Sequence, residues 1–236
     1  MNFTVDICVP LFNEESNVEI LINNFTGSKS KTSNIGNLIL IDNGSTDRTS
    51  EIIGNLLHES IQLHQIEQNI GYGGGAALAI EKSQSRNVAL IPANNQYPFD
   101  EITKMIDLYC SMKSSNSTSS LIKGRRIGRK DSIVVQILSR IYTILTSICI
   151  GKYFSDVNGM PKIFEKDVVI PKLKYFPRNA AFDAVLLLEA KRQGIHFTEI
   201  PITYLPRLHG QPSWKNKRMK ISLQMLMSIL QYRFKR

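Results

Sequence analysis

The chain reads as an α/β protein built on a mostly parallel sheet with helices on both faces, extended by C-terminal amphipathic helices. Two observations predict this. Four short runs rich in apolar residues, at 5–9, 38–41, 61–66 and 88–91, are spaced through the first 110 residues, and stretches of helical periodicity alternate with them. Each run also ends on a polar or glycine-rich segment rather than a hairpin turn. Strands covered on both faces read as apolar runs, and parallel neighbours need a crossover helix between them.

The elements follow in order. Val5 to Val9 closes on Pro10. Asn13-Glu14-Glu15-Ser16-Asn17 comes next, then Val18, Ile20, Leu21, Ile22 and Phe25 at largely helical spacing. Asn13 is the expected helix cap, with the glutamates at the positive end of the dipole. Residues 26–36 read as a Ser/Lys/Gly loop. Leu38 to Ile41 runs into Asp42-Asn43-Gly44-Ser45-Thr46-Asp47, and a helix is expected from Thr49 to Leu57. Ile61 to Ile66 is the third strand, Gly71-Tyr72-Gly73-Gly74-Gly75 leads into a helix over Ala76 to Ile80, and Val88 to Ile91 is the fourth strand before a helix from Phe99 to Tyr109. Ligands of such sheets bind beyond the carboxyl ends of the strands. The segments at 10–14, 42–47, 69–75 and 92–96 are therefore expected on one rim.

The second half changes character. Residues 111–120 are Ser-rich and read as a mobile loop between a half at 1–110 and a half at 121–236. Over 132–148, apolar residues recur at 134, 137, 138, 141, 145 and 148, opposite a polar stripe of Gln136, Arg140, Thr143 and Ser147. Residues 216–235 repeat the pattern, with Met219, Leu223, Leu226 and Leu230 against Lys217, Lys220, Gln224, Gln231 and Lys235. Such faces either pack on the core or lie on an anionic membrane, and both readings are open.

Composition narrows the partners. The net charge is +9, and no acidic residue follows Glu199. Lys123, Arg125, Arg126, Arg129 and Lys130 form a second basic cluster. Segregated positive charge calls for an anionic partner. Nucleic acid is not expected, since no aromatic stacking platform or recognised motif accompanies the charge. Cys8, Cys110 and Cys149 are far apart and odd in number, which suits reduced thiols. No signal peptide and no membrane-spanning run of apolar residues is expected. The 71–75 glycines fit neither a P-loop nor a dinucleotide fingerprint, so tight strand-to-helix packing is their plainest use.

Several segments in order carry a resemblance. Val-Pro-Leu-Phe-Asn-Glu-Glu (9–15), Ile-Asp-Asn-Gly-Ser-Thr-Asp (41–47), Asn-Ile-Gly-Tyr-Gly-Gly-Gly (69–75), Gln-Tyr-Pro (96–98), Lys-Gly-Arg-Arg (123–126), Asp-Val-Asn-Gly-Met-Pro-Lys-Ile-Phe (156–164), Phe-Asp-Ala-Val-Leu-Leu-Leu-Glu-Ala (182–190) and Glu-Ile-Pro-Ile (199–202) resemble family 2 glycosyltransferases. The branch they look like is that of dolichyl-phosphate mannose synthase and polyprenyl-phosphate glycosyltransferases. The resemblance implies a GT-A fold, a nucleotide-sugar donor held by the first half, an acceptor held by the second, and inversion at the anomeric carbon. It implies donor contacts at Pro10, Phe12, Asn13, Glu14, Asp42 and Gly71. Asp42 alternatively makes only an Asx-type turn, and Asp47 reads as a helix cap.

The family's metal-binding Asp-x-Asp falls here on Pro92 and Asn94, with Gln96 retained. The resemblance thus implies Mg²⁺ or Mn²⁺ held weakly by Asn94 and Gln96 with help from the diphosphate, or else cationic side chains in its place. Asp183, as base or metal-side carboxylate, and Asp156, as organiser of the acceptor site, are the implied catalytic groups; their structural alternatives are a helix N-terminal charge and a turn. Arg125, Arg126, Ser139, Arg140, His209 and Ser213 are the implied acceptor and phosphate contacts. Val135 stands where the family commonly has arginine, and Arg129 or Lys130 is the candidate substitute. The expected activity is transfer to a polyprenyl phosphate by a cytoplasmic enzyme peripheral on the inner membrane face. Transfer to a glycan or soluble hydroxyl, or binding without turnover, are the alternatives.

Overall fold

The computed structural model of the chain describes residues 3–115, 120–207 and 218–234. At its centre lies a seven-stranded sheet in the order β3-β2-β1-β4-β6-β5-β7. The strands are β1 Val5–Leu11, β2 Ile35–Asn43, β3 Ile61–Ile66, β4 Asn87–Leu90, β5 Ser120–Ile127, β6 Lys162–Glu165 and β7 His196–Thr203. The helices are α1 Glu15–Lys29, α2 Thr49–Asn55, α3 Tyr72–Lys82, α4 Phe99–Ser115, α5 Ile133–Ile150, α6 Phe182–Arg192 and α7 Arg218–Phe234. The first four strands pair in parallel, as do β5 and β7. Only β6 is reversed, antiparallel to β4 and to β5. Six strands therefore end at one edge of the sheet, and β6 begins there.

All seven residues of β1 are buried, as its unbroken apolar run requires for a strand covered on both faces. The thiols are free, Cys8 and Cys110 buried and Cys149 partly so. Glycines set how closely neighbours approach. Gly73 lies in the first turn of α3, not in a loop ahead of it, and a Cβ there would sit 2.1 Å from the Pro177 carbonyl oxygen. Gly75 faces Pro10 on β1, which is the expected strand-to-helix packing. At the β5–β6 junction a Cβ on Gly124 would meet the Met160 carbonyl oxygen at 1.9 Å, and one on Gly159 the Gly124 carbonyl oxygen at 2.0 Å.

Several expectations are corrected. Asn13 does not cap α1: its backbone is left-handed, with φ of 55°, and its side-chain oxygen accepts the Thr46 N–H at 2.8 Å. A tie between two loops has claimed the side chain. Helix α4 continues through Ser115, and β5 starts at Ser120, which shortens the loop expected at 111–120. In this last turn Ser114 and Ser115 donate their hydroxyls back to the carbonyls of Cys110 and Ser111, at 2.9 and 3.0 Å, which keeps the hydroxyls satisfied within the helix.

The largest correction concerns α5. Its polar side faces inward, with Tyr142, Thr143, Thr146 and Ser147 buried beside Ile150. Its apolar side faces out: Ile133, Val134, Ile137, Ile141, Ile144, Leu145 and Ile148 are all exposed, from 42% to 76%. With 18 residues and a mean hydropathy of 1.8, α5 also has the length and composition of a membrane span, contrary to expectation. Helix α7 packs through Ile221, Met225, Ile229 and Tyr232, and leaves Leu223 and Met227 exposed. Periodicity marks two faces of a helix but does not say which one turns inward.

Substituting Gly124→Ala forces the β5–β6 backbones apart and costs about 1–3 kcal/mol, an overpacking penalty. Gly27→Ala, in α1 with no atom within 4 Å of its added carbon, raises stability instead. Thermal unfolding of the two variants checks the pair.

Candidate active site

The sheet edge where six strands end is laced together by the segments that sequence placed there. From the β1 exit, Asn13 donates its N–H to Ser45 Oγ at 2.9 Å, and Glu14 donates its N–H to Thr49 Oγ1 at 2.9 Å. Glu15 donates its N–H to Asp47 Oδ2 at 3.2 Å, while Asp47 Oδ1 accepts from the Thr49 N–H and hydroxyl. Asp47 thus closes an Asx-type turn just ahead of α2, whose N-cap position is Arg48, and is not itself the helix cap expected from sequence. Asp42, nearly buried, accepts the Ser45 N–H at 2.9 Å and the Ser50 hydroxyl, so the turn reading holds for it. Asn43 bridges to the next exit, accepting the Ile70 N–H and donating to the Gly71 carbonyl, each at 3.0 Å. Gly71 has φ of 82°, and a Cβ there would meet the Arg178 carbonyl at 2.4 Å. Pro10 is buried at this edge and Phe12 is exposed.

At the β4 exit the three amides are tied into the fold. Asn95 is left-handed, with φ of 52°, and donates to the Asn17 carbonyl at 2.8 Å. Asn94 donates to Gln96 Oε1 at 2.8 Å, and Asn94 Oδ1 accepts the Gln96 N–H at 3.2 Å. Gln96 Oε1 also accepts the Tyr204 hydroxyl at 3.1 Å, while Gln96 Nε2 donates to the Leu205 carbonyl at 3.1 Å. Leu205 returns its own N–H to the Gln96 carbonyl at 2.8 Å. The chain leaving β7 is thereby pinned to the β4 exit, and Arg207 comes to rest 3.5 Å from Glu14. Burial lifts the Glu14 carboxyl above its ordinary value, with the Asn17 amide and Arg207 pulling the other way.

Beside this lies a compact set of buried charges. Lys123 on β5 and Lys162 at the start of β6 are both fully buried. Lys123 pairs with Glu199 of β7 at 2.8 Å, and Lys162 with Asp183 in the first turn of α6 at 3.1 Å. Tyr72 of α3 donates its hydroxyl to Asp183 at 3.3 Å. Burial raises the Asp183 carboxyl against the pull of Lys162. Burial, together with Lys162, lowers Lys123. Arg126 forks onto Asp156 through two contacts of 2.8 Å, and a third bond comes from its own N–H at 3.1 Å. Burial alone would raise Asp156, but this fork and Lys123 hold its carboxyl down at about 2. The guanidinium also sits 5.3 Å from the Tyr204 ring centre.

Of the residues expected to meet an acceptor, Arg125 is half-buried and, among the described residues, carries no ion pair. Arg129 donates to Ser139 Oγ at 3.1 Å and pairs with Asp131 at 2.8 Å, which puts an arginine beside Ser139. Arg140 is exposed. Asp156 and Arg126 are brought together, but with each other. His209 and Ser213 lie outside the described residues. Sequence reasoning did not single out Lys162, Tyr72 or Tyr204. A lysine opening the short strand Lys-Ile-Phe-Glu was the available signal, because a charge in a buried strand demands a partner.

A sequence profile of the family described as "Glycosyl transferase family 2" matches residues 6–169, more than half of the chain. The chain belongs to that family. Among curated relatives, undecaprenyl-phosphate 4-deoxy-4-formamido-L-arabinose transferase of Salmonella choleraesuis (strain SC-B67) is 23% identical over 218 residues, 91% of this chain and 64% of that protein. Its counterpart from Salmonella paratyphi A is 22% identical over the same share. This chain thus spans less than two thirds of the length of those relatives. Among solved structures, glucosyl-3-phosphoglycerate synthase of Mycobacterium tuberculosis bound to phosphoglyceric acid superposes with a TM-score of 0.74 at 14% identity, covering 98% of this chain and 80% of that one. The same synthase with Mn²⁺, uridine diphosphate and glucosyl-3-phosphoglycerate gives 0.72 at 15% identity over the same shares. The fold of this family member is GT-A type.

The same synthase has been solved with uridine diphosphate together with Mn²⁺ or Mg²⁺, and also with uridine diphosphate alone. In this chain the β4 exit at 92–96 offers no carboxylate, and among the described residues no group of three or more His, Cys, Asp or Glu is placed to hold a metal ion.

The depressed Asp156 carboxyl makes a sign-defined prediction. Its ordinary value is 3.8 and its folded value about 2, so the Arg126 pair stabilises the fold above pH 3.8 and is lost as pH falls through about 2. Asp156→Asn leaves the buried guanidinium unpaired and costs about 3 kcal/mol at neutral pH. Acid unfolding of the variant then shows a flatter limb across that window than the parent.

Proposed function

We propose that this chain moves a sugar from a nucleotide-sugar to a polyprenyl phosphate at the cytoplasmic face of a membrane, with the nucleotide held on the β1–β4 rim and the acceptor held by the second half. The observation that carries the acceptor class is the inverted polarity of α5. An exposed face of seven aliphatic residues, 42% to 76% open, is costly in water and needs an apolar cover. The cations at its flanks, Lys130, Arg140 and Lys152, are all exposed, and this charge fits an anionic lipid surface. Arg125 and Arg129 lie at the β5 end of the same helix, where a lipid-borne phosphate would reach the rim. A soluble acceptor would ask for no such face. The undecaprenyl phosphate in the relatives' names is the reason for choosing a polyprenyl carrier.

The chemistry follows from which carboxylates are free to act. An acceptor hydroxyl needs a general base within hydrogen-bond reach. Asp183 and Asp156 are buried and committed to Lys162 and Arg126. A phosphate oxygen is already anionic and needs no such base. In the proposed step one phosphate oxygen forms a bond to the anomeric carbon from the face opposite the leaving group. The bond from that carbon to the diphosphate breaks, and a nucleoside diphosphate departs with the electron pair. The sugar inverts.

Incubation with a panel of radiolabelled nucleotide-sugars and a short polyprenyl phosphate gives an organic-extractable product labile to mild acid. Label appearing only on a hydroxyl acceptor would replace the lipid with a glycan. Nucleotide binding with neither transfer nor donor hydrolysis would make this a binding protein. Vesicle flotation tests the surface separately: the chain floats with vesicles containing anionic lipid, and Ile137→Asp with Ile144→Asp reduces the bound fraction at least fivefold while the fold is kept.

A further inference from the structure

The amides at the β4 exit point to a departure from the metal-bearing relatives. We infer that this chain binds the donor diphosphate without a divalent cation, Arg207 supplying the counter-charge. The inference rests on the donor reading above and concerns only how the charge is met.

A hard divalent cation wants several oxygen ligands, usually with carboxylate charge among them. Pro92 brings no ligand atom. The remaining candidates, Asn94 and Gln96, have their oxygens turned to other work. Asn94 Oδ1 accepts the Gln96 N–H at 3.2 Å, and Gln96 Oε1 accepts both Asn94 Nδ2 and the Tyr204 hydroxyl, at 2.8 and 3.1 Å. Both ends of the Gln96 amide are bonded, since Nε2 donates to Leu205. Turning that oxygen toward a cation would break the staple that holds the end of β7. The nearby carboxylates are committed as well: Asp42 to Ser45 and Ser50, Asp156 to Arg126, Asp183 to Lys162.

The same staple delivers the replacement. Leu205 is fastened to Gln96, and two residues on Arg207 faces the β1 exit with its side chain 23% exposed. Its distance of 3.5 Å from Glu14 is long for an ion pair, and burial raises the Glu14 carboxyl above its ordinary value. A guanidinium can hold two phosphate oxygens through parallel N–H donors, which a weakly bound ion cannot improve upon without carboxylates. Lys123, Lys162 and Arg126 are unavailable for this, being buried and paired.

Calorimetric titration of the whole chain with uridine diphosphate and guanosine diphosphate, in Mn²⁺, in Mg²⁺ and in EDTA, decides the matter. The inference expects affinities equal within threefold in the three conditions. It also expects R207Q to weaken binding at least tenfold in each, and P92D/N94D to acquire a Mn²⁺ dependence of tenfold or more. A tenfold loss for the parent in EDTA overturns the inference and leaves the donor reading standing. Unchanged binding by R207Q removes Arg207 from the role and overturns the assignment. Failure of either nucleotide to bind in any condition overturns the inference and the donor reading together.

Discussion

The architecture depends on charges buried where the two halves of the sheet meet. Lys123 and Lys162 have no solvent contact, and each is balanced by one carboxylate brought from a different element, Glu199 of β7 and Asp183 of α6. Arg126 and Asp156 add a third pair in the same region. Removing such ions from water costs several kcal/mol apiece and is offset only when geometry is held closely. The reversed strand β6 makes this possible. It enters the sheet at the edge where the other strands leave, so its first residue and the loop before it stand among the strand exits. The bare backbones of Gly124 and Gly159 let β5 and β6 come close enough for the pairs to form.

From this follows a division of labour along one edge of the sheet. The β1, β2 and β3 exits are hydrogen-bonded to one another through side chains of Asn13, Asn43 and Asp47, and Asn95 ties the β4 exit to α1, which makes a rim of backbone and short polar groups. The paired charges lie next to it beneath β5 and β6. Helix α5 follows β5 with its aliphatic face uncovered. A donor rim beside a surface that needs lipid is the physical content of the proposed activity.

Much of the first half was legible because its strands and helices announce themselves through apolar periodicity, and Ile61–Ile66 falls where the sequence set it. The second half was harder to read for a definite reason. Its strands carry Lys123, Lys162 and Glu199, which look like surface residues until their cross-strand partners are known. Helix α5 could be recognised from sequence but not oriented, because the direction of its faces depends on which neighbours α6 and α7 present. The site shows the same split. The exits at 10–14, 42–47, 69–75 and 92–96 were foreseen as a group, but the Asx-type turn that Asp47 makes ahead of α2 was read as a helix cap. The pairing of Arg126 with Asp156, and the staple from Gln96 to Tyr204 and Leu205, join residues more than a hundred positions apart in one case and have no local signature.

Hydrogen–deuterium exchange with and without a nucleoside diphosphate tests the central claim most directly. If the rim binds the donor, protection on ligand addition falls together on residues 10–14, 42–47, 69–75 and 94–96, and spares the exposed face of α5. Protection confined to α5 and α7, or spread over helices away from the strand exits, would contradict the account.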